Sequence, residues 1–138
     1  MRGMPVALFF LVAALAGCGP PARPKITVTD PANPEFYTQS VQPILQSSCY
    51  RCHGWMNHRG GLNIQTQAGM LKGGKSGPAL VPGDPDHSLL VRLIRHEGPP
   101  GHPMPMPSKS AKLSDSDIAT IEKWIRAGAL MPKNDDIF

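Results

Sequence analysis

Apolar residues recur at helical spacing in three stretches of the chain. The first stretch opens at Asn33-Pro34, a pair suited to the cap and first position of a helix. Pro43 lies inside this stretch and removes a backbone donor, so we expect a kink or a restart near Ser40. The apolar side of this helix consists of Phe36, Val41, Ile44 and Leu45.

Two further helices are predicted, with a shorter helical segment at 66–72. One opens at Asp84-Pro85 and stops at Gly98, and the other runs from the capping box Ser114–Asp117 to Gly128. Their inward faces are Leu89, Leu90, Leu93 and Ile94 in one, and Ile118, Ile121, Trp124 and Ile125 in the other. No stretch gives a convincing sheet, so the pattern predicts an all-α, loop-rich fold with three main helices.

The N-terminus carries an uninterrupted apolar run, Val6 to Ala16, behind a short positive start. Such a run suits a signal peptide and is short for a membrane span. It ends at Gly17-Cys18, which resembles a bacterial lipobox and implies cleavage before Cys18 and its diacylation. An ordinary secretory leader and an uncleaved anchor are the alternatives, and all three place the domain outside the cytoplasm, facing the periplasm.

Composition shifts divide the chain into four parts. Residues 1–17 are the expected signal peptide, and residues 18–34 form a proline-rich extended tether. Residues 35–131 form the folded domain, and residues 132–138 form a C-terminal tail. A lipid on Cys18 would therefore anchor the domain to a membrane while the tether holds it away from the surface.

The composition leaves the domain short of core material. The chain has 14 Gly and 16 Pro, and few large aliphatic residues remain once the leader is removed. The three cysteines exclude a disulfide-dense scaffold. A net charge of +4 without long Lys/Arg runs does not favour nucleic-acid binding. A folded domain of this composition needs a metal or cofactor to complete its core.

The sequence Cys49-Tyr50-Arg51-Cys52-His53 has the pattern CxxCH. Helical spacing brings the two cysteines to one side of a turn, where two thiols can add to two porphyrin vinyl groups. The adjacent His53 can then present its imidazole to the iron. The pattern is typical of covalent attachment of one haem c.

The cysteines allow three rival interpretations. A thioredoxin-like CxxC follows a strand, whereas a helical pattern precedes Cys49. A zinc site requires about four ligands, and the remaining histidines show no suitable pair. A plain disulfide or two inert thiols is the third alternative. Haem attachment is favoured because a haem also answers the shortage of apolar core.

Several other segments occur in an order that makes the pattern more specific. They are Val41–Leu45, Cys49–Gly54, Gly60–Leu62, Gly77–Gly83, Ser88–Leu90, Met106–Pro107 and Trp124–Ala129. Together they resemble the planctomycete-type cytochrome c domain, a relative of the class I mono-haem cytochromes, over roughly residues 36–130. The resemblance implies an all-α haem-binding fold and electron transfer.

The resemblance also implies further site residues. Gly77-Pro78-Ala79-Leu80 is similar to the class I segment whose carbonyl accepts the second ring N–H of the proximal histidine, so Pro78 is the expected acceptor. Met106-Pro107 matches the family's Met-Pro element, which makes Met106 the expected distal iron ligand. Met104-Pro105 is a near duplicate, so Met104 is the alternative, followed by His102 or an open distal site. Trp124 is expected in the core, where the first and last helices cross.

These observations predict a mono-haem cytochrome that passes single electrons between periplasmic or membrane redox proteins and transforms no substrate. A haem enzyme or gas sensor with an open distal site is one alternative. A CxxC thiol-disulfide oxidoreductase lipoprotein is the other. The candidates for a cationic rim that docks redox partners are Lys72, Lys75, Lys109 and Lys112, with solvated surface charge as the alternative.

Overall fold

Helices and turns make up the secondary structure of the computed structural model, which describes residues 27–98, 104 and 111–133. The α-helices are α1 (Pro34–Phe36), α2 (Gln42–Ser48), α3 (Tyr50–His53), α4 (Gln67–Lys72), α5 (Leu89–Ile94) and α6 (Asp115–Arg126). A π-helical turn (Tyr37–Val41) joins α1 to α2, and a 3₁₀ turn occupies Arg59–Gly61. Within the described residues there are isolated bridges but no strands, which confirms the predicted all-α class at that level.

The first helix has the cap and the interruption predicted from sequence. The side chain of Asn33 accepts a hydrogen bond from the backbone N–H of Glu35 at 2.9 Å. Before Pro43 the helix widens into the π-helical turn, and the N–H of Gln42 reaches back to the carbonyl of Tyr37. Proline lacks an N–H and crowds the carbonyl four residues earlier, so a wider turn at this point relieves the conflict.

The second predicted helix is shorter than expected. It begins at Leu89 rather than at Asp84-Pro85, and it ends before His96, whose φ is +64°, rather than at Gly98. The cause at its start is Ser88, a fully buried residue whose hydroxyl donates to the carbonyl of Asp84 at 2.8 Å and accepts from the N–H of Val81 at 2.9 Å. These bonds hold residues 84–88 in a turn that joins two loop segments.

The last helix follows the prediction closely. The side chain of Ser114 accepts from the N–H of Asp117 at 3.1 Å, as expected for a capping box. The helix ends at Arg126, and Gly128 adopts a left-handed φ of +105° just beyond it. The N–H of Ala129 then bonds to the carbonyl of Trp124 at 3.0 Å, which closes the C-terminal turn.

The first and last helices pack against each other at the centre of the domain. The rings of Tyr37 and Trp124 lie 5.3 Å apart between centroids, and the indole N–H of Trp124 donates to the carbonyl of Leu130 at 2.7 Å. Trp124 is fully buried, so its predicted place in the core is confirmed. The other buried apolar residues of the core are Phe36, Val41, Leu45, Ile64, Met70, Ala79, Leu80, Leu90, Val91, Ile94, Ile118, Ile121, Ile125 and Ala129.

An extended segment, residues 27–30, lies against the first and last helices. The N–H of Val28 donates to the side chain of Gln39 at 3.0 Å, and the ammonium of Lys123 donates to the carbonyl of Thr29 at 3.4 Å. The end of the predicted tether therefore contacts the domain. Among the described residues, no helix has the length and apolar character needed to cross a membrane.

Candidate haem-attachment site

The CxxCH motif lies on a single helical turn that continues directly from α2. The N–H of Cys49 donates to the carbonyl of Leu45 at 2.8 Å, which ties the first cysteine to the end of α2. The N–H groups of Cys52 and His53 both reach the carbonyl of Cys49 at 3.0 Å. Both thiols are free and half-buried, so they are available for attachment to a group placed against this turn.

The imidazole of His53 is held by a backbone carbonyl, and that carbonyl belongs to Arg59. Nδ1 of His53 lies 3.0 Å from the Arg59 oxygen, an arrangement in which Nδ1–H donates and Nε2 is left as the ligand atom. The chain reaches this position because residues 54–61 double back on α3, with a bridge between His53 and His58.

Pro78, the acceptor expected from the family resemblance, is not the partner of Nδ1 in this structure. Pro78 is exposed and directly follows the turn between Gly74 and Gly77, where the φ of Gly77 is +95°. The loop after His53 turns back within six residues and places the Arg59 carbonyl beside the imidazole. Because Nδ1 has a single proton to donate, this carbonyl is its acceptor. In this structure the Arg59 carbonyl takes this position, and the acceptor role expected of Pro78 stays a prediction.

The surroundings of the motif favour neutral side chains. Burial, reinforced by the nearby Cys52, raises the pKa of the Cys49 thiol to about 11. Burial also lowers the pKa of His53, and the Arg59 carbonyl opposes that shift. A neutral imidazole is the form that binds a metal ion. A largely protonated thiol at position 49 is a poor nucleophile for thiol-disulfide exchange.

Two tyrosine hydroxyls join the motif to the helix crossing. Tyr50, between the two cysteines, has its hydroxyl 2.9 Å from that of Tyr37. Burial, with the Tyr50 hydrogen bond next, raises the pKa of Tyr37, so this hydroxyl is neutral. Because the Tyr37 ring also packs on Trp124, the position of α3 is fixed from the centre of the core.

Gly54 permits the sharp exit from the motif. A Cβ at this position would lie 2.5 Å from the carbonyl oxygen of Tyr50 and 3.0 Å from the side-chain oxygen of Gln65. The same Gln65 oxygen accepts the N–H of Trp55, and the N–H of Ile64 bonds to the carbonyl of His53 at 2.9 Å. These contacts hold the loop against α3 and so place the Arg59 carbonyl.

The described methionines differ in their suitability as a distal ligand. Met70 is fully buried in the core on α4, and Met56 is 95% exposed beside His53. Met104 is half-buried, and its N–H donates to the carbonyl of Leu93 at 3.0 Å. This contact attaches residue 104 to α5.

Three residues singled out in the sequence lie outside the described residues. They are Cys18, His102 and Met106, and Lys109 of the expected cationic rim lies outside as well. The lipid attachment expected at Cys18 and the iron ligation expected at Met106 stay predictions.

The sequence reasoning missed two features of the site. A backbone acceptor such as the Arg59 carbonyl has no residue-type signature, although the Gly60-Gly61 pair did indicate a tight turn beside it. The pairing of Tyr37 with Tyr50 depends on the π-helical turn, which sets the direction of the Tyr37 side chain.

Comparison with known proteins supports the identity of the site. No curated protein and no solved structure matches the chain. A family model does match, and it begins at the first cysteine of CxxCH and extends past the Met104-Pro105 and Met106-Pro107 pairs. Residues 49–108 match the family described as Planctomycete cytochrome C, which confirms the resemblance for this segment of the chain.

Proposed function

We propose that this chain is a mono-haem c-type cytochrome that carries single electrons between redox partners in the bacterial cell envelope. The observation that carries the proposal is the CxxCH turn, with Nδ1 of His53 fixed by a backbone carbonyl, at the start of the segment that matches a cytochrome c family. A histidine oriented in this way is ready to act as an axial ligand.

The residues present fit a covalently bound haem. Cys49 and Cys52 would form the two thioether links, and His53 would ligate the iron through Nε2. Met106, or alternatively Met104, would supply the second axial ligand. The haem would provide one-electron chemistry at iron, and an arrangement of three main helices around it would limit structural change on electron transfer.

A thiol-disulfide oxidoreductase is less well supported. The CxxC of such an enzyme requires an activated thiolate, whereas burial raises the pKa of Cys49 to about 11. The turn that carries the motif continues from α2 rather than following a strand. A haem enzyme or gas sensor shares the attachment chemistry and differs at the distal ligand, so we separate it by experiment.

The cellular setting forms part of the proposal. Cleavage before Cys18 and its acylation would anchor the protein to a membrane, facing the periplasm, with the folded domain at the end of the tether. A lipidated cysteine carries several acyl chains, and each buried CH₂ contributes roughly 0.8 kcal/mol to membrane binding. Cys18→Ala should therefore release the protein or block leader processing, and high salt should not detach the native protein.

The attachment test uses protein made together with the haem-attachment machinery. A pyridine haemochrome assay should show one haem with two thioether links in the native chain. Cys49→Ser should leave one link, and Cys49→Ser with Cys52→Ser should leave none. Absence of covalent haem from the native chain would overturn the proposal and favour the thiol oxidoreductase.

The electron-transfer test uses the same loaded protein. We expect a reversible one-electron titration, a low-spin spectrum in both oxidation states, and slow binding of CO and cyanide. An iron that is high-spin and immediately accessible to CO in the native protein would favour the enzyme or sensor instead.

A further inference from the structure

Two large apolar side chains lie on the surface directly after the haem-binding histidine. Trp55 is 73% exposed and Met56 is 95% exposed. The backbone that carries them is well fixed, since the N–H of Trp55 bonds to Gln65 and the N–H of Asn57 bonds to the carbonyl of Gly54 at 3.2 Å. A tryptophan and a methionine held in water at a fixed place are typical of a contact surface.

The part of the chain around this pair carries no carboxylate. Between Phe36 and Gly83 the sequence contains no Asp or Glu. The same span contains four cationic residues, and all of them are exposed: Arg51, Arg59, Lys72 and Lys75.

Backbone contacts bring three of these cations to the apolar pair. The side chain of Asn57 donates to the carbonyl of Arg51 at 3.1 Å, which ties the Trp55 loop to α3. The N–H of Lys75 donates to the carbonyl of Gly60 at 2.8 Å, directly after Arg59. We call the surface formed by Arg51, Trp55, Met56, Arg59 and Lys75 the Trp55 patch.

Three of the described carboxylates gather in a different part of the domain. Asp86, Glu97 and Glu122 surround the guanidinium of Arg95, at N–O distances of 3.0, 3.6 and 2.8 Å. This cluster joins α5 to α6, whereas the Trp55 patch adjoins α3. Cations such as Arg92, Lys123 and Arg126 accompany the carboxylates on and around α5 and α6, whereas residues 37–82, around the Trp55 patch, carry cations without carboxylates.

We propose that the Trp55 patch docks the acidic surface of a protein redox partner. The apolar pair would lose water at the centre of the contact, and the cations would face carboxylates at the rim, which is the usual anatomy of a transient protein interface. The proposal rests on the proposed function, because electrons would pass at the edge of the domain where the CxxCH turn lies.

A protein partner fits the patch better than an anionic membrane or a second copy. Lipid-binding segments typically gather about four to eight Lys/Arg on one amphipathic stretch, whereas the patch spreads three cations over three chain segments around two apolar side chains. Two copies of this chain would bring cationic surfaces together, which is repulsive.

The two tryptophans give the experiment an internal control. Poly-L-glutamate serves as the acidic probe, added at low salt to haem-loaded protein labelled with ¹⁵N. The indole N–H signal of Trp55 should move, whereas that of Trp124, buried and bonded to Leu130, should stay in place. Salt at about 0.5 M should abolish the shift, because the contact depends on exposed charges.

Matched variants then test the composition of the patch. Arg51→Gln with Lys75→Gln should weaken poly-L-glutamate binding at least tenfold, and Trp55→Ser should weaken it several-fold. Arg92→Gln with Arg126→Gln removes the same charge from exposed positions on α5 and at the end of α6, and should change the affinity less than twofold. Equal weakening by both double variants would show a net-charge effect and overturn the proposal.

Other outcomes also decide the matter. Capture by phosphatidylglycerol vesicles without binding of poly-L-glutamate would make the patch a lipid surface, and a Trp55 shift that depends on protein concentration alone would make it a self-association surface. Bound poly-L-glutamate should also slow oxidation of the reduced protein by ferricyanide several-fold, as one electron passes from haem iron to ferricyanide. An unchanged rate would show that the patch is not the site of electron exit.

If the protein carries haem and titrates reversibly but does not bind poly-L-glutamate, the docking proposal is refuted and the proposed function is not.

Discussion

Nδ1 of His53 lies 3.0 Å from the carbonyl oxygen of Arg59, so the orientation of the imidazole in the CxxCH motif depends on a turn only six residues further along the chain. That turn requires a left-handed backbone at Gly60, where φ is +67°. A substitution at Gly60 can therefore alter this hydrogen bond without changing His53 or Arg59.

Replacing Gly60 should change the reduction potential of the haem-loaded protein when the new residue disfavours a left-handed backbone. Gly60→Val forces a β-branched residue into the left-handed region, at a cost of about 1–2 kcal/mol, and should shift the Arg59 carbonyl. A weaker bond to Nδ1–H makes the imidazole a poorer donor to Fe(III), so the potential should rise in a redox titration. Gly60→Asn is the control, because Asn tolerates this conformation. Equal potentials in both variants would contradict the role of the turn.

The distal ligand can be identified by comparing two methionines. Met106→Ala should remove the weak far-red band of Met–Fe(III) ligation, lower the potential and open the iron to CO. Met104→Ala should change these spectra little. The contact of residue 104 with Leu93 is made by the backbone N–H, which the substitution keeps. The opposite behaviour of the two variants would make Met104 the ligand, and no effect in either would favour an open distal site.

Ser88→Ala should destabilise the domain by about 1–3 kcal/mol in urea denaturation. The substitution leaves the N–H of Val81 and the carbonyl of Asp84 without their hydroxyl partner at a fully buried position. Ser47→Ala is the matched control, since its hydroxyl is exposed and bonds only within α2 and to Ser48. A loss of similar size in both variants would show that burial of the Ser88 hydroxyl is unimportant.

Asp84 should give the domain a small stability advantage that depends on pH. The hydrogen bond from the His87 side chain, 2.6 Å from Asp84 Oδ2, holds the pKa of this carboxyl below its usual value of about 3.9. A lowered pKa in the folded state stabilises the fold above the unfolded pKa, and the benefit fades as pH falls through the folded value. The difference in urea midpoint between native protein and Asp84→Asn should therefore be constant above about pH 5 and shrink below pH 4. A difference that grows on acidification would contradict this assignment.

The features predicted well from sequence are those that depend on residue type at local spacing. Asn33 and Ser114 cap their helices because a short polar side chain reaches the next backbone N–H groups. Trp124 is in the core because its neighbours on α6 make one apolar face.

The features that were missed depend on backbone groups brought together by the fold. The Arg59 carbonyl is an acceptor that every residue carries, so only the path of the loop selects it. The start of α5 moved to Leu89 because the Ser88 hydroxyl bonds to groups at positions 81 and 84, and no local pattern reveals a contact of that kind.

The π-helical turn at Tyr37–Val41 keeps the first helix in phase with the core. In an uninterrupted α-helix each residue rotates about 100°, so positions four apart drift by roughly 40° at each step. Tyr37, Val41 and Leu45 are nevertheless all buried, and Cys49 follows at the same spacing of four residues. The wider turn offsets part of this rotation. If these five residues formed an ordinary α-helix instead, Tyr37 would rotate out of alignment with the cysteines of the CxxCH motif.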